Sequence, residues 1–437
     1  MSTTLPCKPF PSSTSDSGIL PGRRSENAHR DAQRPREWSG SAARRLIGVL
    51  LLVAPLEQVA FDLYTPALPK IAEQFAASNT LVQNTVTAYV LGMALVVLPA
   101  GLIADAIGRK RVLMAGLGLM TLTSIGCALA GNLPLMIGLR LLQGLGAGTC
   151  LLLAATIAAD CFRGAKLVSV LGLLGAAWGA APVVAPAVGG FISQFGSWRL
   201  VFVVLAALTA TVGLLVVMVL PETLQHDRRS PINLRAAAGV LGEAMRNRSF
   251  VAFATMFGLV AAAQTVFGVV GPFLYQTGLG FSSATYGFVA LGVGAANFFG
   301  AATCGALARR TTTRRLAIGG SAVLALAGVV MLVSAQFVGL SAWAITGGAA
   351  LALLSIGVLD PLTKGLAMGV FSRNIGLVTG LISTFCYATI TLAMALMAWL
   401  PERSQAPLGW FYVAAAVGLV AVLMTAVKQT TRVGAAA

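Results

Sequence analysis

The sequence predicts an all-α membrane protein of twelve transmembrane helices in two bundles of six, with the N- and C-termini cytoplasmic. Three observations predict it: a composition suited to lipid, a recurring run of about 20 apolar residues, and a lopsided distribution of basic residues between the connecting segments. Of 437 residues, 57% are hydrophobic and only 10% charged, with a mean hydropathy of +0.84, against about 25% charged residues in an average soluble domain.

The apolar runs recur at approximately 46–68, 82–104, 112–131, 134–158, 168–192, 200–220, 250–274, 284–307, 315–336, 340–360, 374–398 and 408–427. Between the sixth and the seventh lies the longest polar interval after the N-terminal segment. It reads as a cytoplasmic linker, 221–249, between a first bundle over 46–220 and a second over 250–428. Residues 1–45 carry Pro6, Pro9, Pro11, Pro21 and Pro35 among Ser and charged residues and lack the apolar h-region of a signal peptide. They read as a disordered basic cytoplasmic tail, and 429–437 as a C-terminal tail.

Placement of the 30 Lys and Arg residues sets the orientation, because cytoplasmic connections carry the excess. The tail, the connections after even-numbered spans and the C-terminus hold 26 of them; the opposite side holds only Lys70, Arg199 and Arg403, and Arg140 falls inside a span. A net charge of +16 scattered in this way is a topology signal and not a nucleic-acid footprint. The six cysteines form no CxxC pair and lie mostly in apolar runs, so they read as small packing residues. Both histidines, His29 and His226, fall in polar segments, leaving carboxylates as the proton carriers within the membrane. No phosphate loop, metal cluster or catalytic triad is apparent, so neither cofactor, metal nor enzyme chemistry is expected.

The two halves echo each other. Gly101-Leu-Ile-Ala-Asp105-Ala-Ile-Gly108-Arg109-Lys110-Arg111, after span two, has a degraded partner in Gly305-Ala-Leu-Ala-Arg309 to Arg315 after span eight. Asp160 and Lys166 after span four are echoed by Asp360 and Lys364 after span ten. Such correspondence predicts two parallel repeats around a central pathway.

Charges inside spans are the sharper clue, since each costs at least about 2.5 kcal/mol on insertion scales and faces a bundle interior or a water cavity. Glu57 and Asp62 in span one and Arg140 in span four qualify. Five positions apart, the two acids lie about 140° from one another on a helix and so do not share a face. Asp62 shares its face with Gln58. Pro55 and Pro66 bracket the pair, and the irregular backbone they impose is tolerated where it is buried or lines a cavity. Glu57 is either functional or held by a neighbouring helix. An Arg does not release its proton usefully, so Arg140 either biases nearby carboxylates or forms a structural ion pair. Tyr64, Gln83, Tyr89, Gln143, Gln264, Tyr275, Asn297 and Tyr387 either line a pathway or make ordinary interhelical hydrogen bonds.

The segment from Gly101 through Asp105, Gly108, Arg109 and Arg111 resembles the loop signature of the major facilitator superfamily. The resemblance implies the major facilitator fold and alternating access, with Asp105 and Arg109 latching the two bundles on the cytoplasmic side in the outward-facing state. Ala106 stands where the family often has Arg, so one latch contact is missing. Span five, with Gly172, Gly175, Gly179, Pro182, Pro186, Gly189 and Gly190, is similar to the motif of the proton-antiporting exporters, with Ala185 in place of a usual Gly. Its expected partner is Gly292, Gly294 and Gly300 of span eight. More locally, several segments resemble the bicyclomycin- and chloramphenicol-resistance branch of multidrug exporters. They are Asp62-Leu-Tyr64-Thr-Pro66, the Gln83 to Gly92 face, Arg140-x-x-Gln143-Gly144, Trp198-Arg199, Pro221-Glu222-Thr223 and Gly271-Pro272-Phe273. The likeness covers about 46–425 and thins in the second half.

That branch implies proton-coupled efflux of small lipophilic drugs across the bacterial inner (plasma) membrane by a monomer, with the bilayer, protons and a small molecule as partners. Asp62 is the acid it implicates in proton or substrate binding, and the motif around Arg140 is the one it links to proton transfer. Export of an endogenous metabolite such as a siderophore fits the same scaffold, and nutrient uptake by proton symport fits it less well.

Overall fold

The computed structural model describes residues 40–224, 229, 231–232, 234–371, 375–400 and 404–434. Among these no strand occurs, and twelve helices are long and apolar enough to cross a membrane. In chain order these spans are Gly40–Gln74, Asn79–Ile107, Arg109–Leu129, Leu133–Cys161, Gly164–Phe195, Arg199–Val219, Arg248–Gly278, Ser283–Arg310, Thr313–Phe337, Ala342–Met368, Val378–Met397 and Ala406–Met424.

Most helices outrun their apolar segments, because backbone hydrogen bonding continues past the point where hydropathy fades. Of the expected tail over 1–45, residues 1–39 lie outside the described residues, and Gly40 already opens span one, so Arg44 and Arg45 sit in its first turns rather than in a tail. Asp160 belongs to the last turn of span four. Asp360 and Lys364, read from the sequence as loop residues, lie inside span ten. The interval expected to be a plain linker contains a helix, Leu234–Arg246. Side chains close several starts: Ser78, Asn132 and Asn247 accept from the backbone amides of Leu81 (3.3 Å), Leu135 (2.9 Å) and Phe250 (3.1 Å), satisfying donors that a helix N-terminus leaves open.

Span one is broken where its prolines predict. It runs as Gly40–Val53, then Leu56–Asp62, a 3₁₀ turn Thr65–Ala67, and Leu68–Gln74. Span seven ends in a π-helical turn, Phe273–Gly278, directly after Pro272.

Helix pairing repeats with a shift of six. Spans two and four, three and four, and three and six pack together, as do eight and ten, nine and ten, and nine and twelve. Five packs on eight and eleven on two, the same relation carried between the halves. This is the arrangement of two parallel repeats, and it leaves span one's broken segment against spans five, seven and eight at the centre.

Candidate functional site

The Leu56–Asp62 segment holds Glu57, 2% exposed, at the seam between the two sets of helices. Its Oε2 accepts from Trp178 Nε1 of span five (2.9 Å), and its Oε1 accepts from the Tyr387 hydroxyl of span eleven (3.2 Å). The Tyr89 hydroxyl donates to the Glu57 backbone carbonyl (2.7 Å), fixing the segment from span two. One carboxylate is therefore tied to both halves of the molecule. Of the sequence readings for Glu57, this is pairing with neighbouring helices, at the centre of the fold.

Asp62, 6% exposed, accepts from Gln58 Nε2 (2.7 Å), so these two do share a face. Arg140 is fully buried, and its Nη1 donates to Gln143 Oε1 (2.6 Å) and lies 3.5 Å from the Ala60 carbonyl. Its guanidinium carbon sits 4.2 Å from the Tyr89 ring centre and 4.5 Å from that of Tyr64. Among the described residues it makes no ion pair, which corrects the ion-pair reading. Aromatic faces hold the cation instead, a contact worth about 2 kcal/mol or more when desolvated, and Nε and Nη2 have no hydrogen-bond partner.

Several polar residues expected as possible pathway lining are buried in this arrangement. Tyr64 bonds Thr85 (2.7 Å), Gln143 donates to Ser124 (2.6 Å) and Tyr275 bonds Thr346 (2.6 Å), while Gln83 and Tyr89 are also buried. Gln264 and Asn297 are half-buried.

At the turn between spans two and three, Gly108 has φ +112°, a conformation that favours glycine, and a Cβ there would run into the Glu222 carboxylate. Arg109 pairs with Asp105 (Nη1–Oδ1 2.6 Å) and Asp160 (Nε–Oδ2 3.2 Å), while its backbone amide donates to Glu222 Oε1 (2.8 Å). Every one of these partners belongs to the first half of the chain. Among the described residues the expected latch between bundles is not made in this arrangement; the cluster binds spans two, three and four to the segment after span six. Arg111 is exposed and Gly101 half-buried against Leu152 of span four. Glu222 was visible in the sequence only as part of a motif, without a role.

The small-residue stripe of span five meets span eight over half its length. A Cβ at Gly190 would strike the Ser283 carbonyl, one at Gly287 would reach the Pro186 carbonyl at 2.8 Å, and one at Gly294 the Pro182 carbonyl at 3.0 Å. Gly189 is pressed on Leu63 of span one instead. Of the expected partners on span eight, only Gly294 faces span five; Gly292 meets nothing within 4 Å, and Gly300 packs on Leu354 of span ten. Further along the stripe, a Cβ at Gly172, Gly175 or Gly179 would also meet nothing within 4 Å. The two spans therefore touch at one end and part toward the end that carries Arg109 and Asp160. The touching end is stitched by Gln276, whose Nε2 donates to the Pro66 carbonyl (2.9 Å) and whose Oε1 accepts from Ser283 (2.7 Å). At the same end Thr80 of span two donates to the Ala398 carbonyl just past span eleven (2.9 Å).

Two charged residues of span ten complete the inventory. Asp360 is half-buried, and Lys364, one turn on, holds its ammonium 5.8 Å from the Phe257 ring centre of span seven.

The family model described as Major Facilitator Superfamily matches residues 50–394. The chain belongs to the Major Facilitator Superfamily. Within the superfamily it is 33% identical over 243 residues to an uncharacterized MFS-type transporter YdgK of Bacillus subtilis, across 55% of this chain and 60% of that protein. It is 34% identical over 225 residues to the multidrug resistance protein MdtL of Salmonella heidelberg, across 52% of this chain and 56% of that one. The chain thus matches somewhat over half the length of these curated relatives. Among solved structures, that of a D-xylose-proton symporter superposes with a TM-score of 0.71 at 16% identity, covering 87% of this chain and 97% of that one. At that identity the likeness speaks for the facilitator fold alone. With twelve helices apolar enough to span a membrane, it is a multi-pass membrane protein of that superfamily.

Proposed function

We propose that this facilitator exports small lipophilic drugs from a bacterial cytoplasm across the inner membrane, driven by inward proton flow. The observation that carries the reading is the placement of Glu57 where a cleft, closed at one end and parted at the other, brings the two halves together. The positive-inside rule supports assigning the parted end, with its basic connections, to the cytoplasm, and both termini with it. The relative named for multidrug resistance supports drugs as cargo. Motif likeness to the bicyclomycin and chloramphenicol branch supports amphenicol-like compounds, and the cleft formed within one chain supports action as a monomer.

Proton coupling follows from hydrogen-bond chemistry. An ionised carboxylate only accepts, and Glu57 is met by an indole N–H, which only donates, and by a phenol that donates here. Protonation removes the charge that strengthens both bonds and converts one oxygen into a donor. The tie between span one, span five and span eleven then weakens, and the balance between the two arrangements shifts by the difference in proton affinity. Asp62 lies five residues further along the same span and is the second acid available to the cycle, with Arg140 reaching the Ala60 carbonyl of that span.

The deciding experiment is transport by purified protein in liposomes under an imposed proton gradient, with and without a protonophore, over a panel of antibiotics. Gradient-driven movement of drug opposite to the protons is expected. Movement of substrate with the protons would replace export by uptake.

A further inference from the structure

The helix between spans six and seven, Leu234–Arg246, is 13 residues long, or about 20 Å. Asn247 alone separates it from span seven: its extended backbone turns the chain, and its side chain accepts from the Phe250 amide (3.1 Å) to open the span. The helix is thereby held at the level where a span enters the bilayer. On one side it packs on spans seven and eleven, with Ala244 fully buried and Val240 half-buried. A second side is apolar and uncovered among the described residues. Leu241 and Met245, one turn apart, are 40% and 47% exposed, and exposed Ala238 continues their stripe toward the helix start. At about 100° per residue, Arg235 and Arg246 lie opposite Ala244 and about a quarter-turn round from the stripe, while Glu243, the helix's one acid, lies on the far side from it. Both arginines are exposed, as is Arg248 at the start of span seven.

We infer that this helix is an interfacial anchor: Leu241 and Met245 dip to the acyl boundary of the bilayer, and Arg235, Arg246 and Arg248 hold the headgroups of anionic lipids. Continuity chooses lipid as the occupant, since the stripe ends two residues before a span whose outer surface already meets lipid. Charge chooses the kind of lipid. A guanidinium offers a fork of donors that a phosphate accepts in pairs, and basic residues beside a span are drawn to an anionic leaflet. An apolar side flanked by arginines, with the acid turned away, is the pattern of a helix that lies in the interface plane. The helix also rests on span eleven, whose Tyr387 reaches Glu57, so the anchor bears on one of the spans that meet at the centre of the fold. It is independent of the cargo and of the direction of transport.

The test is amide hydrogen exchange of the full chain in nanodiscs of phosphatidylcholine alone and of an equal mixture with phosphatidylglycerol. Amides of the Leu234–Arg246 helix are expected to exchange at least about fivefold more slowly in the mixture, the effect of one basic residue at an anionic surface. Salt at about 1 M, where charges are screened beyond about 3 Å, should remove most of that difference. Replacing all three arginines, Arg235→Gln, Arg246→Gln and Arg248→Gln, should abolish it and leave exchange in the spans unchanged, whereas Glu243→Gln, on the far side, should preserve it. Leu241→Ser with Met245→Ser should speed exchange of the helix in both kinds of disc. Equal exchange of the wild-type helix in the two discs, or a difference that survives loss of the arginines, overturns the inference. So does the same slowing in phosphatidylcholine discs on adding soluble glycerol phosphate, which would make this a site for a free anion. Exchange that the two serines leave unmoved would give the stripe to another protein surface and overturn it as well.

Discussion

Glu57 receives its two side-chain hydrogen bonds from residues 121 and 330 positions away in sequence. Its charge was legible as an intramembrane acid, but no local pattern reports that Trp178 and Tyr387 converge on it; helix packing does that. Arg140 shows the same limit: its position inside span four was legible, whereas the Tyr64 and Tyr89 faces that hold it belong to other spans. Glu57→Gln keeps the volume and removes the charge. We expect it to abolish substrate-induced proton release from purified protein in detergent while neutral drugs still bind. Asp62→Asn is the control, since Asp62 is held only by Gln58 of its own helix among the hydrogen bonds described. If Asp62→Asn silences proton release and Glu57→Gln does not, the coupling acid is Asp62. Arg140→Lys replaces a planar guanidinium with a point charge and gives up part of a desolvated stacking contact worth about 2 kcal/mol. A lower melting midpoint in detergent is expected, and an unchanged one would show that the ring contacts contribute little.

Helices were legible from apolar runs, and the break in span one from Pro55 and Pro66. Their ends were less so, and the error matters at span ten. Hydropathy fades at Asp360, yet the helix runs on to Met368 and takes in both Asp360, half-buried, and Lys364, exposed. The i, i+4 spacing of the two charges was the signal that the helix continued. The small-residue stripe of span five was legible too, but which glycines meet span eight depends on how far the helices diverge. Gly190→Leu places bulk against the Ser283 carbonyl, where backbone meets backbone and neither side yields cheaply. Overpacking of this kind costs about 1–3 kcal/mol, enough to hold the closed end ajar. The expected result is a protein that inserts normally but lets an imposed pH gradient collapse in liposomes. Gly179→Leu, which meets open space here, is expected to keep the membrane tight; equal leak from both would detach the leak from the five–eight contact.

Across the whole molecule, the repeat was legible from loop motifs and is borne out by helix pairing that recurs with a shift of six. The motif thins in the second half because only the first half has an acidic residue and a glycine turn for its arginine to organise; Arg309 sits where Asp105 does in the first repeat. What the sequence did not disclose is which partners the Asp105 cluster has in a given arrangement. With the basic end parted, Arg109 among the described residues serves the first bundle, through Asp105, Asp160 and the contact of its amide with Glu222. Asp105 has 47% of its side chain exposed, against 25% for Asp160, and exposed ion pairs contribute about 0–1 kcal/mol. Its loss should scarcely touch the stability of this arrangement, because Asp160 and Glu222 keep their hold on Arg109. A residue that matters little here yet closes the basic end in the alternate arrangement shows its worth in transport and not in melting. Asp105→Asn is therefore expected to insert normally and melt within about 2 °C of wild type, the shift that less than 1 kcal/mol produces in a large protein. Its transport rate should fall severalfold. Arg109→Ala removes the hub of the cluster and is expected to lower both. Full transport by Asp105→Asn, or a melting loss as large as that of Arg109→Ala, would leave Asp105 as part of a local brace with no share in closing the molecule.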